Sequence, residues 1–165
     1  LLREERDIHF LLSGWGMGFA RLKDMQAAAQ LANVTLVDRV ADSELDALLS
    51  SADAWLIPYR KDVAGVSVPS RFYNLLAAGR PVILVSEPEA EAALTVSENG
   101  LGWVVTPGRP DQLADAVRLA SRSQDTGMAE RAVATARSFS PERALASYAA
   151  LVAELLSDRD VERTA

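Results

Sequence analysis

Apolar residues recur along this chain in two rhythms. Short runs rich in β-branched residues stand at Ile8–Leu12, Val34–Val37, Ala54–Ile57, Val82–Val85 and Gly102–Val105. Between and after them apolar positions return every three or four residues, the spacing that lines one face of a helix. The runs predict five strands. The remaining stretches predict helices over 19–32, from Ser43 to about Ser51, from Ser70 to Ala78, from Pro88 to about Ser97, from Pro110, over Met128–Phe139, and from Ser140-Pro141-Glu142 onward. Leu22, Met25, Ala29 and Ala32 form the apolar side of the first helix, and Ser43 with Asp46 has the spacing of a capping box. Strands alternating with helices predict an α/β fold. The expected form is a Rossmann-like, doubly wound and mostly parallel sheet of about five or six strands, with helices on both faces. Ligands of such sheets bind beyond the carboxyl ends of the strands.

Two loops at those ends carry candidate chemistry. Ser13-Gly14-Trp15-Gly16-Met17-Gly18 joins the first strand to the first helix, and a glycine-rich turn there lets backbone approach a phosphate. The second loop opens the stretch from Val63 to Ile83. Ser67, Ser70 and Arg71 crowd the start of a short helix, where unpaired N–H groups and the helix dipole favour an anion. Gly79 and Pro81 end that helix, and the run from Val82 suits a buried parallel strand.

Composition narrows the chemistry. The chain has 165 residues, 49% of them apolar and 24% charged, which fits one globular domain. A net charge of −6 argues against a nucleic-acid partner, which would call for a basic face. With no cysteine and one histidine, His9, thiolate chemistry and a multi-histidine metal site are excluded, and no metal or cofactor is expected. No apolar run reaches the ~20 residues of a membrane span. The charged stretch Arg3–Asp7 resembles the end of a helix, so a fragment of a longer protein is expected. The charged tail from Asp158 is expected to fray.

The order of strand, glycine-rich loop, helix and Asn33-Val34, then Ala52-Asp53 before the third strand and Pro58, then Ser67-Val68-Pro69-Ser70-Arg71 and Ala77-Ala78-Gly79-Arg80-Pro81-Val82-Ile83, resembles the C-terminal half of family 4 glycosyltransferases of the GT-B fold. Within that family it is most similar to the bacterial branch that builds cell-surface polysaccharides. The resemblance runs from about Ile8 to Leu156 and is specific over Ser67–Ile83.

The resemblance implies a domain that binds a UDP-, GDP- or ADP-linked sugar for retaining transfer of a hexosyl group, without a metal. The acceptor, a glycan or lipid-linked molecule, would be held by an N-terminal domain outside this chain. A cytoplasmic protein is expected from the lack of a membrane span or signal peptide, and the resemblance adds peripheral association at the inner face of the membrane. Gly14 and Gly16 would face the donor phosphates, Arg39 and Val40 would hold the base, and Ser67, Val68, Ser70 and Arg71 would present backbone N–H groups and charge to the diphosphate. Many members carry two glutamates eight positions apart, which here are Val66 and Asn74. The branch usually keeps the second on the ribose, so Asn74 departs from the pattern, although an amide still hydrogen-bonds a hydroxyl. The basic residues that neutralise the diphosphate would precede residue 1, which implies that this chain alone is inactive.

Other readings stay open. Gly14 and Gly16 match the first two glycines of a dinucleotide fingerprint, with Asp38 placed to hold a ribose, but Phe19 stands where its third glycine belongs. A GT-B epimerase would need acid and base groups that are not evident. A degenerate, non-catalytic nucleotide-binding domain fits Val66 and Asn74. Glu87, Glu89 and Glu91 suit a helix start, and the resemblance also puts an acidic residue there near the donor. Trp15, Trp55 and Trp103 are expected to pack, with Trp15 the one able to border a cleft, and His9 is expected at the sheet without a catalytic part.

Overall fold

A computed structural model describes residues 1–59, 61–62 and 70–163. The elements in order are β1 (Phe10–Gly14), α1 (Met17–Ala29), β2 (Val34–Asp38), a 3-10 turn (Asp42–Glu44), α2 (Leu45–Ser51) and β3 (Trp55–Pro58). Then come α3 (Ser70–Ala77), β4 (Val82–Val85), α4 (Glu91–Glu98), β5 (Gly102–Val105), α5 (Pro110–Arg122), α6 (Met128–Ser138) and α7 (Pro141–Arg163). All strand pairings among the described residues are parallel. The α/β class with helices between parallel strands is therefore as expected.

β4 is the centre. Every residue of it is buried, and its side chains alternate between two clusters. Val82 and Leu84 join Phe72, Leu75 and Leu76 of α3, Ala92, Ala93 and Val96 of α4, Leu101, and Ala132 of α6. Ile83 and Val85 point the other way, to Ile8, Val105 and the α5 residues Ala116 and Val117. Side chains alternate across a strand, so an unbroken apolar run is what a strand covered on both faces requires.

The pairing to β5 depends on one residue. Gly102 has a φ of +151°, and a Cβ built on it would lie 1.9 Å from the Val82 carbonyl oxygen. Only a residue without a side chain lets the two backbones come this close. Behind β5, the Arg131 guanidinium donates to the Gly100 carbonyl at 2.8 Å and pairs with Asp125, fastening α6 to the turn before the strand. The hydrogen bond from Arg131 holds the Asp125 carboxyl below its ordinary range.

The strands form two sheets instead of one. β1 pairs with β2, while β3, β4 and β5 make a second sheet in that order. Phe10 of β1 and Leu56 of β3 line a common apolar hollow with Leu2, Leu113 and Val117, and no backbone ladder joins the two strands among the described residues. Residues 1–7 form turns and not a helix end, with Arg118 bonded to Glu5 at 2.9 Å and Asn33 to the Leu2 carbonyl at 2.8 Å. The expected capping box at Ser43 is replaced by a bond from the Ala41 N–H to the Glu44 carboxylate at 3.3 Å. On α1 only Phe19 is buried, and Met25 is 55% exposed. α7 continues as helix past Asp158 to Arg163. No described helix is long and apolar enough to cross a membrane.

Gly102→Ala should cost about 3 kcal/mol or more, because the clash is with backbone and cannot be relieved by a rotamer change. Urea denaturation followed by circular dichroism measures it, and a midpoint like that of the parent would contradict the close approach.

Candidate functional site

The carboxyl ends of β1 and β2 lie side by side, since Gly14 is in register with Asp38. The Ser13 hydroxyl donates to the Asp38 carbonyl at 3.1 Å and ties the two ends together. Beyond them the chain opens at Gly16, which caps α1 with a φ of +90°, a conformation that side chains resist. Phe19 and Ala20 donate their N–H groups back to the Gly16 carbonyl, leaving the first turn of α1 with its usual unpaired donors at the surface. Over this loop the Arg39 guanidinium sits 4.9 Å from the centre of the Trp15 ring and also pairs with Asp42 at 3.5 Å. Gly14, Gly16, Arg39 and Val40 are thus gathered at one edge. Arg39 is exposed and Val40 half-buried.

The second group lies on α3. This helix leads back into β4, so its N-terminus faces the carboxyl end of that strand, as in any helix that precedes a parallel strand. Arg71, in the first turn, is exposed and has no ion pair among the described residues. Asn74 is exposed one turn further on. Phe72, Leu75 and Leu76 on the opposite side are buried in the core, which fixes the helix and aims Arg71 and Asn74 outward. Ser67 and Val68 lie outside the described residues, as does the side chain of Ser70. Among the described residues no hydrogen bond, ion pair or ring contact joins the Gly14–Val40 group to Arg71 and Asn74.

Sequence reasoning assigned Trp15 mainly to packing, and the structure corrects this: it is 63% exposed. Trp55, in contrast, is half-buried and donates its Nε1 to the Leu49 carbonyl at 3.0 Å. His9 is exposed and bonded to Thr35 at 2.8 Å, away from both groups. Glu87, at the end of β4, accepts the Asp62 N–H at 2.6 Å through Oε1, while Oε2 is buried and unpartnered. Burial raises the Tyr59 and Tyr73 phenols above their ordinary range, with the Tyr59–Tyr73 and Tyr73–Glu91 interactions adding to it. Among the described residues no three His, Cys, Asp or Glu side chains cluster as metal ligands would.

The geometry also bears on the dinucleotide reading. Phe19 is buried with its ring against Gly14, 3.1 Å from where a Cβ would stand, so the helix cannot approach as the third glycine of that fingerprint permits. Asp38 is engaged by Lys23 at 2.9 Å.

The profile of the family described as Glycosyl transferases group 1 matches residues 1–122. WbjE of Pseudomonas aeruginosa, whose name marks it as a glycosyltransferase, is 32% identical over 85 residues, which are 52% of this chain and 21% of that protein. WcaI of Escherichia coli (strain K12), whose name assigns it to glycosyl transfer in colanic acid biosynthesis, is 30% identical over 120 residues. That match takes in 72% of this chain and 29% of WcaI, so the chain spans less than a third of either relative. The crystal structure of AviGT4, a glycosyltransferase involved in avilamycin A biosynthesis, aligns with a TM-score of 0.42 at 22% identity, over 79% of this chain and 43% of that one.

The glycines of the loop should respond differently to substitution. Gly16→Ala forces a side chain into the left-handed region and should cost about 1–2 kcal/mol. Gly18 has an ordinary φ, and an added Cβ meets nothing within 4 Å. Gly18→Ala should therefore be neutral or stabilise α1 by up to about 1 kcal/mol. Thermal unfolding of the two variants separates the effects, and equal losses would contradict the loop conformation.

Proposed function

Because the chain belongs to the group 1 glycosyl transferase family, we propose that it is the donor-binding half of a family 4 enzyme of GT-B architecture. In this reading it holds a UDP-, GDP- or ADP-linked sugar beyond the carboxyl ends of its strands. The Gly14–Gly16 loop and the Ser67–Arg71 loop line one crevice, with Ser67, Val68 and Ser70 contributing around the diphosphate. Arg39 and Val40 border the base, and Asn74 bonds a ribose hydroxyl. A second, N-terminal domain presents the acceptor hydroxyl of a glycan or lipid-linked molecule, and this chain alone does not turn over.

The chemistry follows from where charge develops. The anomeric C–O bond breaks and its electron pair stays on the departing diphosphate. The acceptor oxygen makes the new bond to the anomeric carbon and passes its proton to the departing diphosphate, with retention of configuration. Negative charge therefore grows on the diphosphate, and fixed N–H groups with a nearby guanidinium stabilise it more than they stabilise the neutral parts of the donor. Arg71 carries this reading, since it is exposed and free of ion pairs among the described residues, at the helix N-terminus beside β4. No metal or cofactor is assigned. A surface polysaccharide as product is part of the same proposal, beside a relative whose name puts it in colanic acid biosynthesis. A cytoplasmic location, at the inner face of the membrane where a lipid-linked acceptor is reached, belongs to the same proposal.

A second reading, a nucleotide-binding domain without activity, is favoured by Asn74 standing where the branch carries a carboxylate. Restoring it with Asn74→Glu discriminates, because a weakened ribose contact is strengthened and a lost site is indifferent.

The test is thermal unfolding with UDP, GDP, ADP, dTDP and NAD at millimolar concentration. A ligand at 100 times its Kd adds about 2.7 kcal/mol of stability. A rise in Tm with one nucleoside diphosphate, abolished by Arg71→Ala, is expected. A rise with NAD alone, or with none of the five, would contradict donor binding by this chain.

A further inference from the structure

Of the three tryptophans, two are partly buried against the two core clusters, Trp55 on one and Trp103 on the other. Trp15 alone projects into solvent, 63% exposed, at the carboxyl edge of β1 and β2. A large aromatic surface left in water forgoes the burial that would stabilise it. Yet the ring is held in place. Arg39 covers one face at 4.9 Å, and its guanidinium is itself steadied by Asp42 at 3.5 Å. Such a stack over an indole is favourable even at an exposed site. The surroundings are clear: a side chain added at Gly16 or Gly18 would meet nothing within 4 Å. With one indole face covered by a cation, the 63% exposure of the residue is carried by the rest of the ring, the other face included.

From this we infer that the open face of Trp15 is the stacking platform for the nucleobase of the donor, an inference that rests on the reading of this edge as a nucleotide-sugar site. A planar base matches a flat indole and needs no hydrogen-bond partner to stack on it. Trp15 then contributes affinity common to all bases. It adjoins Gly16, so a nucleoside stacked there directs its phosphates toward the open backbone of the loop and the first turn of α1. Arg39 on the far face keeps the indole oriented, so it borders the base through the ring it covers and not by direct contact. The chain's net charge of −6 favours a single nucleotide over a nucleic-acid strand as the source of the base.

Tryptophan emission tests this directly. UDP, GDP, ADP, inorganic pyrophosphate and a UDP-linked sugar are titrated into the parent protein, Trp15→Phe, Trp15→Ala and Arg39→Ala, with affinities taken independently from calorimetry. Nucleoside diphosphates should quench the parent, and pyrophosphate should not. Trp15→Phe should keep most of the affinity and lose the quench, because Phe still stacks. Trp15→Ala should bind nucleoside diphosphates about tenfold more weakly, a difference of ~1.4 kcal/mol, with pyrophosphate binding unchanged. Trp15 is exposed and contributes only its stack with Arg39, so the melting temperatures of the variants should fall by no more than a few degrees. Nucleoside diphosphates that bind Trp15→Ala as tightly as the parent would overturn the platform and leave the donor site standing. A quench that survives in Trp15→Phe, or one produced only by the complete UDP-linked sugar, would overturn it too. Absence of nucleotide binding in the parent would sink the platform and the donor reading together.

Discussion

The close approach of two backbones at Gly102 and Val82 is the constraint on which the fold depends. It sets β5 against β4, and β4 is buried on both sides. Two helical layers can then close over one strand, α3, α4 and α6 on one side and α5 on the other. Removing the strand from its ladder would expose both clusters at once, which is why so much rests on a residue with no side chain.

The functional edge follows from that core. α3 enters β4 through the short turn at Gly79 and Pro81, so its buried face locks its N-terminus beside the end of the strand. Arg71 is thereby carried on a rigid helix although it reaches into solvent, and that arrangement limits the reorganisation needed to meet a charge. The other half of the edge is built differently. β1 and β2 are only half-buried and α1 buries little beyond Phe19, so the Gly14–Arg39 group stands on a lightly packed unit. Part of the chain sits on a dense core and part does not, and the proposed crevice lies between them.

How much of this was legible in the sequence depends on what decided each element. β4, β5 and the start of α5 fall where they were expected, because an unbroken apolar run and a proline at a first helical position are local signals. β1 came two residues later than expected, since Ser13 and Gly14 pair with β2 despite being poor strand formers. The break between the sheets was not legible, because strand adjacency is a tertiary matter. The apolar side of α1 was legible as a pattern, but its burial was not: Met25 is 55% exposed and Phe19 is the buried residue of the helix. Of the candidate site, Gly14, Gly16, Arg39 and Val40 come together. Arg71 and Asn74 are exposed on α3, while Ser67 and Val68 lie outside the described residues. Trp15 was expected to pack, with a place at the cleft border left open, and it is exposed. Its place in a glycine-rich loop was the available signal, and only the Arg39 stack reveals its orientation.

The central claim is that two loops from separate sheets serve one nucleotide. Amide chemical-shift mapping tests it most directly, with the 15N-labelled protein titrated with the nucleoside diphosphate that binds. The account predicts shifts grouped at residues 13–18, 38–40 and 67–74, moving together with a single dissociation constant. Shifts confined to one loop, or two loops titrating with different constants, would contradict a shared crevice.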